Sequence, residues 1–240
     1  MIKHFKVKSK AEMGELAASY YETLLRQNKK RLFAFATGST PVPLYDELVR
    51  LYEAGRIDVS EVTTVNLDEY VGLDVNNENS YRSFMDRNLF DRVNIRKENT
   101  FLPDGLAKDV ALACSLYSAK LEQLGTRDVQ LLGIGNNGHI GFNEPSDRLS
   151  ARTFAVSLTE STIAANSRFF ASYDEVPKKA MTMGMAEIFD SDLILLLASG
   201  KAKHDVLQAA IYGPVTTSNP ASLLQMHRNV VCIDATGNDN

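Results

Sequence analysis

The run Val129-Gln130-Leu131-Leu132-Gly133-Ile134 reads as a short buried strand, and it breaks at once into five glycine or asparagine positions within residues 133–138. The break continues through Gly138-His139-Ile140-Gly141-Phe142-Asn143-Glu144, presenting an imidazole, an amide and a carboxylate before Pro145 ends it. Glycines let a backbone turn sharply and let other groups approach it closely. A polar cluster on such a turn, at the end of a buried strand, is where open α/β sheets hold their chemistry.

The rest of the chain alternates short β-type runs with helical patterns, the signature of a parallel sheet covered on both faces. Strands are expected at 5–7, 32–36, 62–67, 129–134, 193–198 and 230–233. Helices are expected at 11–27, 41–52, 81–90, 107–124, 159–170 and 202–211. In the first of these, Leu16, Ala17, Tyr20, Tyr21, Leu24 and Leu25 recur at helical spacing. The expected fold is α/β: a doubly wound, mostly parallel, Rossmann-like open sheet. No repeat, low-complexity tract or Pro/Ser-rich linker divides the chain, so 1–240 reads as a single domain.

Composition excludes several classes. A net charge of −4, with no local Lys/Arg cluster to offset it, leaves no electrostatic footprint for nucleic acid. The longest strongly apolar run, 193–198, is too short to span a bilayer, so no membrane partner is expected. The first fifteen residues are mixed polar without a signal-peptide core, which points to the cytoplasm. Cys114 and Cys232 lack metal-ligand spacing and fit two buried thiols in a reducing compartment.

Four stretches carry candidate chemistry. Gly133, Gly135 and Gly138 formally match a dinucleotide fingerprint, but that motif opens a helix, and Gly141 and Pro145 are poor helix residues. The alternative is an active-site loop in which His139 and Glu144 do acid–base work. Thr37-Gly38-Ser39-Thr40-Pro41, between strand and helix, is either an ordinary helix cap or an anion site, typically for phosphate. It lacks the Walker A lysine. A helix N-terminus favours an anion by only about 0.3–2 kcal/mol, so a phosphate site should recruit cations; Arg168 and Lys201 are the candidates. In Asn66-Leu67-Asp68-Glu69-Tyr70 the two carboxylates either cap the following helix or supply a general base. On an extended backbone Asp68 and Glu69 point opposite ways, so only one faces a pocket. Tyr81, in the capping segment Asn79-Ser80-Tyr81, is a further candidate for ligand contact.

Together these stretches resemble the glucosamine-6-phosphate deaminases (isomerising), within a superfamily shared with 6-phosphogluconolactonase. The resemblance runs through Thr37–Pro41, Asn66–Leu73, Ser80-Tyr81 with Phe84-Met85, Gly138–Pro145 and Ala165-Asn166-Ser167-Arg168-Phe169-Phe170, in the family's order and spacing. It implies conversion of glucosamine 6-phosphate and water into fructose 6-phosphate and ammonia, with no metal or redox cofactor. It further implies that Asp68 moves a proton between C2 and C1, that His139 opens the sugar ring, and that Glu144 orients and charges that histidine. Gly38, Ser39 and Thr40, with Arg168 and Lys201, would hold the phosphate.

Two departures from the family pattern matter. Asn137 stands where many relatives have an aspartate, so Glu144 is expected to carry more of the charge stabilisation on His139. Allosteric hexameric relatives have a basic pair shortly after the Ala-Arg-Thr segment and a longer C-terminal tail. Here the segment reads Ala151-Arg152-Thr153-Phe154-Ala155-Val156 and the sequence ends at Asn240. A non-allosteric enzyme, a monomer or small homo-oligomer, is therefore expected. The rival readings are a 6-phosphogluconolactonase and a non-catalytic sugar-phosphate sensor; Asp68-Glu69-Tyr70 and Asn143-Glu144-Pro145 favour the deaminase, and no helix-turn-helix segment precedes Leu32.

Overall fold

Strands buried on both faces need helices on either side of them, and the order of elements supplies these in alternation. The computed structural model describes residues 2–27, 31–160, 163, 164, 167, 170 and 172–237. β1 (Ile2–Lys6) leads through α1 (Lys10–Leu25) to β2 (Arg31–Phe35), α2 (Val42–Glu53) and β3 (Val62–Asn66). β4 (Asp68–Tyr70) follows at once, then α3 (Tyr81–Asn88) and the two-residue β5 (Thr100–Phe101). α4 (Val110–Leu124) feeds β6 (Arg127–Gly133). After it come β7 (Phe154–Ser157), β8 (Lys179–Thr182), α5 (Met185–Phe189), β9 (Ser191–Ser199), α6 (His204–Tyr212) and β10 (Val230–Ala235).

The large sheet has the order β1-β10-β9-β6-β2-β3-β5, every neighbouring pair parallel. The chain crosses it in one direction through α1 and α2, and in the other through α4, α5 and α6. Right-handed crossovers then put the two sets on opposite faces. On the first face Tyr21 of α1 meets Phe33 edge-on at 4.9 Å, and Tyr45 of α2 meets Phe35 at 5.5 Å. Every residue of β2 and β10 is buried, as strands covered on both sides should be.

The expected strands and helices all appear within a few residues, save one. The helix expected at 159–170 falls largely outside the described residues. α4 starts at Val110 because Asp109 caps it, its side chain accepting from the Leu112 N–H. α6 starts at His204 because a tight 3-10 turn, Lys201–Lys203, precedes it.

The sequence reading did not anticipate a second, antiparallel sheet, β4-β8-β7. The chain passes into it at Leu67. The Leu67 N–H still donates to the Phe35 carbonyl of the large sheet at 3.0 Å, while its own carbonyl accepts from the Met183 N–H at 2.8 Å, just past β8. One extended segment thus serves two sheets, and Asp68 is the first residue beyond the seam.

α1 and α2 pack closely because Gly14 has no side chain. A Cβ there would lie 2.5 Å from both the carbonyl carbon and oxygen of Pro43, which are backbone atoms with no freedom to move aside. In an isolated helix Gly→Ala would stabilise by about 1 kcal/mol, so packing and propensity oppose each other at this position. Overpacking of a tight contact costs about 1–3 kcal/mol, and it should win. Gly14→Ala is therefore expected to lower the urea midpoint of unfolding, and a raised midpoint would show that the helices separate freely.

Candidate active site

β2 and β6 are the neighbours at which strand order reverses, and their ladder holds only at Phe33↔Val129 and Ala34↔Gln130. Beyond it, β2 leads toward α2 on one face, whereas the next crossover after β6 runs over the other. Such a switch point opens a crevice at the carboxyl ends of the strands. It holds a cavity of about 630 Å³, walled by the loops after β2, β3, β6 and β9, a size suited to a small metabolite. Asp68, Tyr81, Asn137, His139 and the 38–40 loop all line it.

Asp68 is buried at the seam between the sheets, opposite Thr182 of β8. Behind it stands Gly141, whose positive φ of 57° suits a residue without a side chain; a Cβ there would come within 2.8 Å of Thr182 Oγ1 and 3.8 Å of Asp68 Oδ2. Burial pushes the Asp68 carboxyl up to about 8, and the neighbouring Glu69 charge adds to the effect. Glu69 points the other way, as strand alternation requires. Its carboxylate accepts from the backbone N–H groups of Tyr70, Tyr81 and Arg82 at 2.8, 3.0 and 2.9 Å, closing the first turn of α3. Burial raises its pKa, and those three donors work against the rise. The two readings of Asp68-Glu69 are thus divided between the two residues: one faces the cavity, the other caps the helix.

His139 lines the same cavity. A Cβ on Gly135 would fall 2.2 Å from the His139 ring, so the imidazole lies directly on that glycine's backbone. Glu144 Oε2 sits 3.3 Å from His139 Nδ1, within ion-pair range although out of line for a hydrogen bond. Asn137 does more than fill space: its Nδ2 donates to Glu144 Oε2 at 2.7 Å, and its Oδ1 accepts from the His139 backbone N–H at 3.2 Å. Asn143 ties the loop to the small sheet, its Nδ2 donating to the carbonyls of Ile140 and Met183 at 3.1 and 2.9 Å.

The 37–41 loop forms the cavity's far end. The Tyr45 hydroxyl donates to the Ala36 carbonyl and fixes the loop's departure from β2. Tyr81, its ring packed on Tyr70 with centroids 4.6 Å apart, lines the cavity together with Thr37. Two lysines follow β9, and the structure places them differently. Lys201 is exposed and does not line the cavity; Lys203 does, with Nζ 3.5 Å from Thr40 Oγ1. Both belong to the 3-10 turn Lys201–Lys203, whose last residue and not its first is at the cavity wall. Arg168 lies outside the described residues. Lys10 and Ser199 also line the cavity, and the sequence reading missed both. A lone lysine at the start of a helix gives no sequence signal for a site 30 residues downstream.

A family model described as glucosamine-6-phosphate isomerases/6-phosphogluconolactonase matches residues 7–233. A glucosamine-6-phosphate deaminase of Clostridium perfringens (strain SM101 / Type A) is 49% identical over 94% of this chain and 93% of its own length. One from Lachnoclostridium phytofermentans is 48% identical, over 94% of this chain and 95% of its own. Among solved structures, a monomeric glucosamine-6-phosphate deaminase superposes with a TM-score of 0.94 at 39% identity, covering 97% of this chain and 96% of that one. A 6-phosphogluconolactonase from Thermotoga maritima gives 0.76 at 18% identity over 97% and 99%, a likeness of fold alone.

The burial of Asp68 has a thermodynamic consequence. An unfolded aspartate titrates at about 3.9; between that value and about 8 the folded chain holds a proton that the unfolded chain has lost. Stability therefore falls as pH rises through this window. Asp68→Asn removes the effect, so its gain in Tm over the parent should be small at about pH 4, grow toward about pH 8 and level off beyond, when followed by calorimetry. A gain independent of pH would mean that Asp68 is ionised throughout. On the other wall, Glu144→Gln takes the charge from beside His139 and is expected to lower kcat/KM by roughly a hundredfold. Asn137→Asp keeps that charge, loses a donor and sets two carboxylates together, so its loss should be smaller; the reverse order in steady-state kinetics would move the charge-stabilising role to position 137.

Proposed function

The chain belongs to the family of glucosamine-6-phosphate isomerases and 6-phosphogluconolactonases, and from that premise we propose that it is the deaminase, converting glucosamine 6-phosphate and water into fructose 6-phosphate and ammonia in amino-sugar breakdown. The observation that carries this reading is the shared cavity: a buried carboxylate, an imidazole with its own carboxylate, and an anion cradle with a lysine all face it. The 49% identity to deaminases, set against 18% to a lactonase, favours deamination over lactone hydrolysis.

Each residue has a task its chemistry suits. The backbone and hydroxyls of Gly38, Ser39 and Thr40, with Lys203, hold the phosphate, and Arg168 joins them by the family resemblance. His139 moves a proton from the C1 hydroxyl to the ring oxygen, which opens the sugar to its aldehyde. An imidazole suits this because one of its nitrogens can give a proton while the other takes one, and Glu144, steadied by Asn137, sits beside the ring.

Asp68 then removes the C2 proton and returns it to C1. The C2–N bond becomes an iminium, water adds to it, and ammonia leaves, with fructose 6-phosphate as the other product. The raised pKa makes Asp68 a stronger base than an exposed carboxylate, and an ammonium on C2 would pair with it and help keep it ionised. Neither step calls for a metal or redox cofactor.

A monomer or small homo-oligomer working in the cytoplasm, on the whole of 1–240 as one domain, fits this reading. A monomeric deaminase of the same fold supports the first point, and two buried free cysteines agree with the second.

The purified protein, given glucosamine 6-phosphate, should release ammonia and fructose 6-phosphate in equal amounts. Asp68→Asn should abolish turnover while substrate still binds, as measured by calorimetry. Hydrolysis of 6-phosphogluconolactone without ammonia release would instead make the chain a lactonase, and near-normal turnover by Asp68→Asn would remove Asp68 from the mechanism.

A further inference from the structure

Lys10 lines the cavity, although it belongs to the far N-terminal end of the chain and the reaction scheme gives it no task. We propose that Lys10 is a substrate-binding residue: its ammonium meets the sugar phosphate across the 38–40 cradle from Lys203. This rests on the sugar-phosphate reading of the cavity and adds a cation that neither the sequence pattern nor the family resemblance supplied.

Three observations carry it. The first is the cavity wall itself, whose cations among the described residues are Lys10 and Lys203. The second is how α1 is placed. Lys10 precedes Gly14 by four residues and so shares its face of the helix, and that face presses on Pro43 in the first turn of α2. The contact brings the start of α1 to the start of α2, where Ser39, Thr40 and Pro41 turn into the helix. The end of α1 is also fixed in place. Ser9 Oγ accepts from the Glu12 N–H at 3.1 Å, and Glu12 Oε2 accepts from the Lys8 N–H at 2.7 Å, a reciprocal cap.

The third observation is electrostatic. A cation in the first turn of a helix opposes the macrodipole, so helix stability gives no reason for a lysine directly after the Ser9 cap. Among the described residues its ammonium has no recorded carboxylate partner. An anion in the cradle supplies one. It would then lie between two lysines on different elements, the start of α1 and the turn before α6, with hydroxyls and backbone N–H groups beneath it. Holding an already charged group from both sides, without touching the reacting carbons, is uniform binding: it lowers KM and leaves kcat alone.

The test compares Lys10→Met, Lys10→Arg and Lys8→Met with the parent chain, reading steady-state constants for glucosamine 6-phosphate and, separately, the binding of inorganic phosphate by titration calorimetry. Lys10→Met should raise KM and weaken phosphate binding roughly five- to tenfold, with kcat within about twofold, and Lys10→Arg should restore most of both. Lys8→Met carries the same charge change two residues away and should leave both constants unmoved; an equal effect there would reduce Lys10 to a long-range contribution and overturn the contact. Unchanged constants in Lys10→Met, or a fall in kcat at constant KM, would overturn it too. Because phosphate binding is read without turnover, weakened phosphate binding in a chain that releases no ammonia would uphold Lys10 while ending the deaminase reading.

Discussion

The two hydrogen bonds at Leu67 hold the arrangement together. Its N–H completes the ladder of the parallel sheet and its carbonyl begins the junction with the antiparallel one. The next residue therefore leaves the large sheet at the carboxyl edge, where the crevice opens, yet stays in an extended, hydrogen-bonded backbone. Asp68 is set on a strand and not on a loop, which fixes its direction closely. It also explains its burial: β8 lies beside it and the 139–143 loop lies over it. In the proposed reaction, where one base serves two adjacent carbons in turn, such a fixed position is an advantage.

Position 69 shows how the same strand geometry separates two identical chemistries. Both carboxylates are buried, yet one receives three backbone donors and the other lines the cavity. Glu69 is consumed in holding α3, which in turn presents Tyr81 to the 37–41 loop. Among the described residues Asp68 has no such set of donors, and burial without them raises its pKa. Proteins commonly accept lower stability where a reactive group must stay unsatisfied until substrate arrives.

Much of this was legible in the sequence because it rested on local rules. Buried runs spaced by amphipathic stripes gave the large sheet, and glycine-rich turns at strand ends marked the loops that line the cavity. Period-2 alternation separated Asp68 from Glu69. The small sheet was not legible: β4 is three residues long and begins with Asp and Glu, poor strand formers, and its partners lie more than 80 residues away. Lys203 was missed because a 3-10 turn advances the chain differently from the helix expected there. Lys10 was missed because nothing local links the start of α1 to the 38–40 loop; the link is the missing side chain at Gly14.

The His139 imidazole is held in a different manner from the Asp68 carboxylate. His139 lies flat on Gly135, within a loop whose bonds run to three separate elements. Asn137 and Glu144 brace it from within. Asn143 and Phe142 bind it to the small sheet through Met183 and Thr182. From behind, the Ala221 N–H donates to the Gly138 carbonyl at 2.9 Å and the Ser146 N–H donates to Thr217 O at 3.3 Å, so the segment before β10 supports the loop as well. A glycine-rich loop has the most backbone freedom to lose, and here it is fixed by contacts to both sheets' neighbourhoods at once. Asp68 and the His139 loop are therefore not positioned independently: β8 meets both, through Asp68↔Thr182 on one side and Thr182 Oγ1 accepting from the Phe142 N–H on the other. Thr182, a residue with no acid–base chemistry of its own, meets the strand of Asp68 and the loop of His139 at once, which is why the unanticipated small sheet matters to the cavity as much as the loops that line it.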